Sequence, residues 1–131
     1  MAFHSFEDLE VWKLSCRLAI RLYADLRDCA DRGLKNQMTR AAASIASNIA
    51  EGSERTTGPD FVRFLNIAKG SAAELHTQVY IAARVGILSN QQHTQLTTDL
   101  KQVSAMLHSL SKSIHAKTAA ARKARTPNTE H

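Results

Sequence analysis

Ten consecutive residues, 41–50 (AAASIASNIA), carry no charge and only two large side chains, Ile45 and Ile49. A helix at the surface of a small bundle normally shows water a charged face. This stretch has only Ala, Ser and Asn for that face, so it predicts a helix that is covered on more than one side. Either the rest of the bundle or a partner subunit must provide the cover. The segment therefore constrains architecture and assembly more than chemistry.

Length, composition and cysteine content indicate the broad class of protein. The 131 residues fit one domain with one hydrophobic core, and only two prolines and five glycines favour long helices. Cys16 and Cys29 would lie about 20 Å apart along one continuous helix, too far for a disulfide within the chain. Reduced thiols, no apolar leader and no apolar run of about 18 residues predict a cytoplasmic protein without a membrane segment.

Apolar residues recur at steps of three and four in four segments, which predicts four amphipathic helices. We expect these helices at roughly residues 6–30, 34–54, 59–85 and 89–116. Short connections between them favour an all-α fold, an antiparallel up-down-up-down four-helix bundle forming a single domain over residues 1–115. The predicted core stripe of the first helix is Leu9, Trp12, Cys16, Ala19, Tyr23 and Leu26.

Several residues mark helix starts or close packing. Thr57 or Gly58 is placed to cap the third helix, with Pro59 in its first turn. Gly70, in the middle of that helix, costs roughly 1 kcal/mol against alanine, and close approach of another helix is its simplest explanation. The candidate capping boxes are Ser5 with Asp8, before the first helix, and Ser89 with Gln92, before the fourth.

Positive charge is concentrated in two places. The formal net charge is +5, and residues 116–131 hold +3 of it. We expect this segment to be a disordered tail that either binds nucleic acid or an acidic surface, or only aids solubility. Lys13, Arg17 and Arg21 follow at four-residue steps on the first helix and, with Arg40 on the second, are the candidate nucleic-acid contacts. The alternative is an ordinary solvated face.

Polar residues at helical spacing on the second and third helices form a candidate network in the core or at an interface. Its members are Ser44, Asn48, Glu51, Ser71 and Glu74. The alternative is that Ser44 and Asn48 only tolerate close packing, while Glu51 and Glu74 reach solvent. Buried polar groups need hydrogen-bond partners, so the two interpretations differ in what surrounds these side chains.

No motif for catalysis, metal binding or cofactor binding is present in the sequence. The six histidines form no His-x-x-His or Glu-x-x-His motif, and there is no phosphate-binding glycine loop or nucleophile elbow. We therefore expect no enzyme activity, no catalytic residues, no metal site and no cofactor. If the protein were an enzyme, the only candidates for active-site residues would be Glu51, Glu74 and Arg40.

Three segments carry a resemblance to a known family. They are VWKLSCRLAIRLY (11–23), QMTRAAASIASNIAEGSER (37–55) and FVRFLNIAKGSAAELHTQVYIAARVGIL (61–88). Together they resemble the bacterial four-helix-bundle proteins known as 23S ribosomal RNA intervening-sequence proteins, over roughly residues 3–115. The most specific parts are SNIAEG at 47–52 and RFLNIAKGSAAEL at 63–75. Ala46 stands where the family pattern tends to have proline, which softens any kink there.

The resemblance implies a compact four-helix monomer that assembles into a ring-like homopentamer. It also implies a relationship to the pentameric accessory protein that works with reverse transcriptase in diversity-generating retroelements, but no settled biochemical activity. Two hypotheses follow. One is a non-enzymatic oligomeric module that contacts RNA, DNA or a nucleic-acid enzyme through its Lys and Arg side chains. The other is a structural scaffold that recruits a protein partner without binding nucleic acid.

Overall fold

The computed structural model describes residues 5–125, which form one short 3₁₀ helix and four α-helices. The elements are the 3₁₀ helix Phe6–Asp8, α1 (Glu10–Asp25), α2 (Arg32–Ser53), α3 (Gly58–Arg84) and α4 (Asn90–Arg125). Over this part of the chain there is no strand, and the predicted all-α, single-domain fold is confirmed. None of these helices is long and apolar enough to cross a membrane.

The four helices pack in a cycle around one core. Both α1 and α3 contact α2 and α4, whereas α1 and α3 lie diagonally and do not touch. Ser44 of α2 lies opposite Ser71 of α3, and Gly52, later in α2, lies opposite Phe64, earlier in α3, so these helices are antiparallel. The polar contacts between α1 and α4 show the same alternation. The arrangement is the up-and-down bundle that short connections favour.

Large aliphatic side chains from every helix fill the centre of the bundle. The largest that are fully buried are Leu18, Leu22, Leu26, Met38, Ile45, Ile49, Leu65, Leu75, Val79, Leu96, Leu100 and Leu107. Burying each such side chain contributes roughly 1.5–3 kcal/mol. The periodic stripes of α2, α3 and α4 supply most of this set, so the periodicity that predicts these helices also identifies their inner faces.

Two of the three predicted caps hold as expected. Thr57 Oγ1 accepts a hydrogen bond from the Asp60 backbone N–H at 3.2 Å and caps α3. Ser89 and Gln92 form a reciprocal capping box, with bonds of 3.1 and 2.9 Å. Ser5 instead caps the 3₁₀ helix through the backbone N–H of Glu7, so α1 begins later than predicted.

The core stripe predicted for α1 is confirmed at Leu26 but is otherwise displaced by one residue around the helix. The residues that face the centre are Val11, Leu14, Ser15, Leu18 and Leu22, with Leu26 just beyond the helix. Trp12, Cys16 and Ala19 are half-buried, and Tyr23 is 53% exposed. Two apolar stripes run side by side on this helix. The one richer in leucine packs inside because it buries more apolar surface than cysteine and alanine do.

The segment 116–125, expected to belong to a disordered tail, is helical, and α4 ends only at Arg125. Ile114 and Thr118 lie so close over Gly58 that a Cβ there would contact both side chains. This contact anchors the end of α4 on the turn between α2 and α3, and the alanine-rich sequence favours helix continuation. Residues 126–131, the rest of the predicted tail, lie outside the described residues.

The two mid-chain glycines behave differently from each other. A Cβ on Gly52 would lie 2.7 Å from Phe64 Cβ and 3.2 Å from the Phe61 carbonyl oxygen, so only glycine allows α2 and α3 to approach this closely. A Cβ on Gly70 would meet nothing within 4 Å. Close approach of a helix from the same chain therefore does not explain Gly70, and that expectation is wrong.

Gly52→Ala should destabilise the bundle by about 1–3 kcal/mol, because the added methyl group forces α2 and α3 apart. The measurement is urea unfolding at one fixed chain concentration, read as a lower midpoint at unchanged slope. Gly33→Ala is the matched control, since a Cβ there meets only the Asp31 carboxylate at an ordinary 3.6 Å. Equal midpoints for the two variants would show that α2 and α3 tolerate the methyl group.

Candidate interaction surfaces

Three of the five predicted network residues meet between α2 and α3. The hydroxyls of Ser44 and Ser71 share a hydrogen bond of 2.9 Å. Asn48 Nδ2 donates to the Ser44 carbonyl oxygen at 2.8 Å and to Ser44 Oγ at 3.0 Å. All three side chains are partly buried, so the small group joins the two helices through paired rather than orphaned polar atoms.

The two glutamates of the predicted network lie elsewhere. Glu51 is exposed and forms an ion pair of 3.1 Å with Arg55, which lies just beyond the C-terminal end of α2. Glu74 lines an open polar cleft of about 550 Å³ between α2 and α3, and Arg40 lines the same cleft. The cleft-lining residues are Asn36, Gln37, Arg40, Ala41, Ser44, Ser71 and Glu74. Arg40 and Glu74 form no ion pair there, so both charges are available to a third group.

The chemistry of this cleft is that of a polar binding surface. It offers one cation, one anion, two amides and two hydroxyls. Neither histidine nor cysteine lines it, and its serine hydroxyls are hydrogen-bonded to each other. A nucleophile needs a base that accepts its proton, and the hydrogen bonds of the Ser44 and Ser71 hydroxyls run to each other and to Asn48.

The four candidate nucleic-acid contacts do not form one surface. Lys13 pairs with Glu10 at 3.1 Å, and Arg21 lies 3.6 Å from the buried carboxylate of Asp99 on α4. Arg17 is exposed and free of any ion pair within the described part of the chain. Arg40 lies apart from them, in the cleft between α2 and α3. Two of the four predicted contacts are therefore partly neutralised by carboxylates, and Arg40 is separated from the three on α1.

A longer cationic surface lies on the C-terminal half of α4. Residues 101–125 contain six Lys or Arg and no Asp or Glu, which exceeds the +5 net charge of the whole chain. The rest of the chain is therefore close to neutral. We call the last part of this surface the cationic arm, defined by the exposed residues Lys112, Lys117, Arg122, Lys123 and Arg125. The sequence contains the acid-free run and an alanine content that favours a helix there, but it does not reveal the contact of Thr118 with Gly58 at the start of α3.

An open apolar groove of about 400 Å³ lies between α1 and α2. It is lined by Trp12, Cys16, Ala19, Ile20, Ala43, Ala46, Ser47 and Ala50. The α1 residues are largely those of the stripe mistaken for core, and the α2 residues belong to the uncharged segment 41–50. Burial raises the pKa of the Cys16 thiol, which disfavours the reactive thiolate. Within residues 5–125, nothing covers this groove.

The chain is similar in sequence to one known family over most of its length. The family model of the 23S rRNA-intervening sequence protein matches residues 7–109. The chain belongs to this family. A similar fold occurs in the crystal structure of a protein of unknown function from the S23 ribosomal protein family of Bacteroides thetaiotaomicron VPI-5482, with a TM-score of 0.74 and 25% identity. The similarity covers 78% of this chain and 98% of that chain, and no curated protein matches the sequence.

The family match covers the bundle but stops within α4. Residues 110–125 continue this helix beyond the matched range, and they carry the whole cationic arm. The groove and the polar cleft both lie inside the matched range. The family relationship therefore accounts for the four-helix fold, whereas the arm lies beyond the part of the chain that the family model matches.

One carboxylate between α1 and α4 is poorly satisfied. Asp25 Oδ1 accepts a long hydrogen bond of 3.5 Å from Gln92 Nε2, while Asp25 Oδ2 is buried without a partner. Burial raises the pKa of Asp25, opposed by the charge of Arg21 and the bond from Gln92. A carboxyl whose pKa rises on folding binds its proton more tightly in the folded state, so its contribution to stability falls as pH rises from 3.8.

Asp25→Asn should become more stabilising, relative to the parent protein, as the pH rises from 3 to 7. At low pH the protonated carboxyl and the amide are nearly equivalent, whereas at neutral pH the parent holds a desolvated charge. Urea unfolding at several pH values measures the difference. Asp28→Asn, in the exposed connection after α1, controls for loss of one negative charge. A difference that stays flat or falls with pH would contradict the inferred direction of the pKa.

Proposed function

We propose that this protein is a non-enzymatic, oligomeric binding module that contacts nucleic acid through the cationic arm of α4. The proposal takes the homopentameric state from the family resemblance. The observation that carries it is the acid-free run over residues 101–125, which outweighs the net charge of the rest of the chain. A surface of this kind attracts phosphate with little regard to base sequence.

The geometry of the arm favours a phosphate backbone as its partner. At 1.5 Å per residue, Lys112 and Arg125 lie about 20 Å apart along the axis of α4, so the cations of the arm are spread along a helix rather than collected in a pocket. No Phe, Tyr or Trp occurs after Tyr80, so α4 lacks the large aromatic rings that form a base-stacking platform. Contacts to phosphate, with affinity that depends strongly on salt, follow from these features.

The family name adds a reason to test RNA first. Intervening sequences of 23S rRNA are RNA segments, and a module that associates with them needs positive charge outside its core. Arg17 and Arg40 retain free charge and are secondary contacts in this proposal, whereas Lys13 and Arg21 each lie beside a carboxylate. Several arms on one oligomer would raise the affinity of each by holding the next close to the same strand.

Replacing Lys117, Lys123 and Arg125 together with glutamine should weaken binding to structured RNA and flatten its salt dependence. Each lost phosphate contact removes about 0.7–0.9 from the slope of log K against log salt, so three contacts remove roughly two to three. Fluorescence anisotropy across a salt series gives the slope. The matched control replaces Lys13, Arg32 and Lys69, three cations of the bundle, and should change the slope less.

The alternatives give distinct results. If the arm and control variants show equal slopes, the contact lies elsewhere on the bundle. If the parent oligomer binds neither structured RNA nor duplex DNA at low salt, the nucleic-acid role is wrong. The scaffold that recruits a protein partner then becomes the better candidate, because large apolar side chains such as Ile67 and Ile81 remain exposed on α3.

A further inference from the structure

Within the described residues, the large apolar side chains that are exposed to solvent all belong to α1, to α3 or to the C-cap of α3. The exposed large apolar side chains of residues 5–125 are Ile20, Tyr23, Ile67, Tyr80, Ile81 and Val85. Two of them belong to α1, beside the groove, and the other four lie along α3 or at its C-cap, while α2 and α4 expose none of this kind. Scattered exposed residues need no explanation, so the question is which of these side chains share a face with other features of a contact surface.

The first face is the groove between α1 and α2. Its wall on α2 consists of Ala43, Ala46, Ser47 and Ala50, none of which carries charge or bulk. Ile20, 69% exposed, stands on the α1 side. Small side chains along one wall of a groove leave space between the helices. A row of large side chains from another helix can fill that space.

The second face is a stripe along α3 that we call the ridge: Ile67, Gly70, Glu74, Thr77 and Ile81. These residues follow at alternating steps of three and four, so they share one face of the helix, and all are exposed. Ile67 and Ile81 supply the bulk, with exposures of 43% and 46%. Gly70 adds an open site where another backbone can come close, which its own bundle does not use.

The two faces cannot meet within one molecule. The groove is formed partly by α1 and the ridge lies on α3, and these diagonal helices do not touch. Their charges are complementary. Arg27 and Lys35 line a shallow pocket with Ile20 and Tyr23 that extends the groove, and Glu74 lies on the ridge without an ion pair in the described residues. A second copy of the chain brings the carboxylate of Glu74 to a groove with a basic extension.

We propose that the ridge of one copy seats in the groove of the next copy. The contact joins unlike surfaces, so it is head-to-tail and leaves one free groove and one free ridge at the ends of any open chain. If the rotation between copies closes, the product is a ring, and if not, a filament. The inference rests on the oligomeric state in the proposed function and adds which surfaces form the contact.

The test mixes two variants that each lack one face. Ala43→Glu places a charge in the groove, and Ile81→Glu places one on the ridge. Both positions are exposed, so each variant should fold as the parent does, which circular dichroism checks. Alone, each variant should be monomeric by light scattering. Mixed, they should form a one-to-one dimer of twice the 14.4 kDa chain mass, because one intact groove and one intact ridge remain.

Further variants keep the test decisive. Ala105→Glu, at an exposed position of α4, is the matched control and should assemble like the parent. If either variant fails to fold, Ser47→Glu or Ile67→Glu replaces it on the same face. A mixture that stays monomeric, or a groove or ridge variant that assembles alone, overturns the proposed contact. Such results point to a groove-to-groove contact or to other surfaces.

The result separates this inference from the proposed function. A parent chain that is monomeric at micromolar concentration overturns the oligomeric state and this contact together. A parent oligomer without dimer formation in the mixture overturns only the contact. The effect of the arm substitutions is measured on the parent assembly, whose contact they leave unchanged because the arm lies outside the groove and the ridge.

Discussion

The close contact between α2 and α3 is the constraint on which the rest of the structure depends. Gly52 lets α2 come within packing distance of Phe64, and the hydrogen bond between Ser44 and Ser71 joins the same two helices further along. This pair is also the most extensive helix contact in the bundle. Once it is fixed, Arg40 and Glu74 must share one cleft, and the alanines on the remaining side of α2 are left beside α1. The positions of cleft and groove are therefore consequences of one packing choice.

The sequence predicts the fold well because helical periodicity is a local property. It predicts the inner face of α1 poorly, because that helix carries two adjacent apolar stripes with the same spacing. Leu14 and Leu18 point inward, whereas Cys16 and Tyr23, on the other stripe, do not. The local pattern does not show which of two such stripes faces the core. The positions of α2 and α4 decide it. The error is informative, since the stripe taken for core is the wall of an uncovered groove.

The candidate site was predictable only where its contacts are local. Asn48 reaches back to Ser44 across one helical turn, so spacing alone brings them together. Glu51 has Arg55 at the same spacing, which predicts its ion pair equally well and removes it from the network. The helical end of α4 depends instead on Thr118 lying over Gly58, residues far apart in the chain. Composition alone predicts a disordered tail there, because it gives no information about a contact between residues so far apart in the chain.

The uncharged segment 41–50 now divides into three faces. The core face is Ala41, Ala42, Ile45 and Ile49, the face toward α3 is Ser44 and Asn48, and the groove face is Ala43, Ala46, Ser47 and Ala50. Packing inside one chain explains the first two. It does not explain the third, because an exposed helix face in a monomer tolerates Lys or Glu at little cost, and both are good helix formers. The lack of charge on that face fits a cover from outside the chain, and a ridge with Ile67 and Ile81 around an open Gly70 has the shape to provide it.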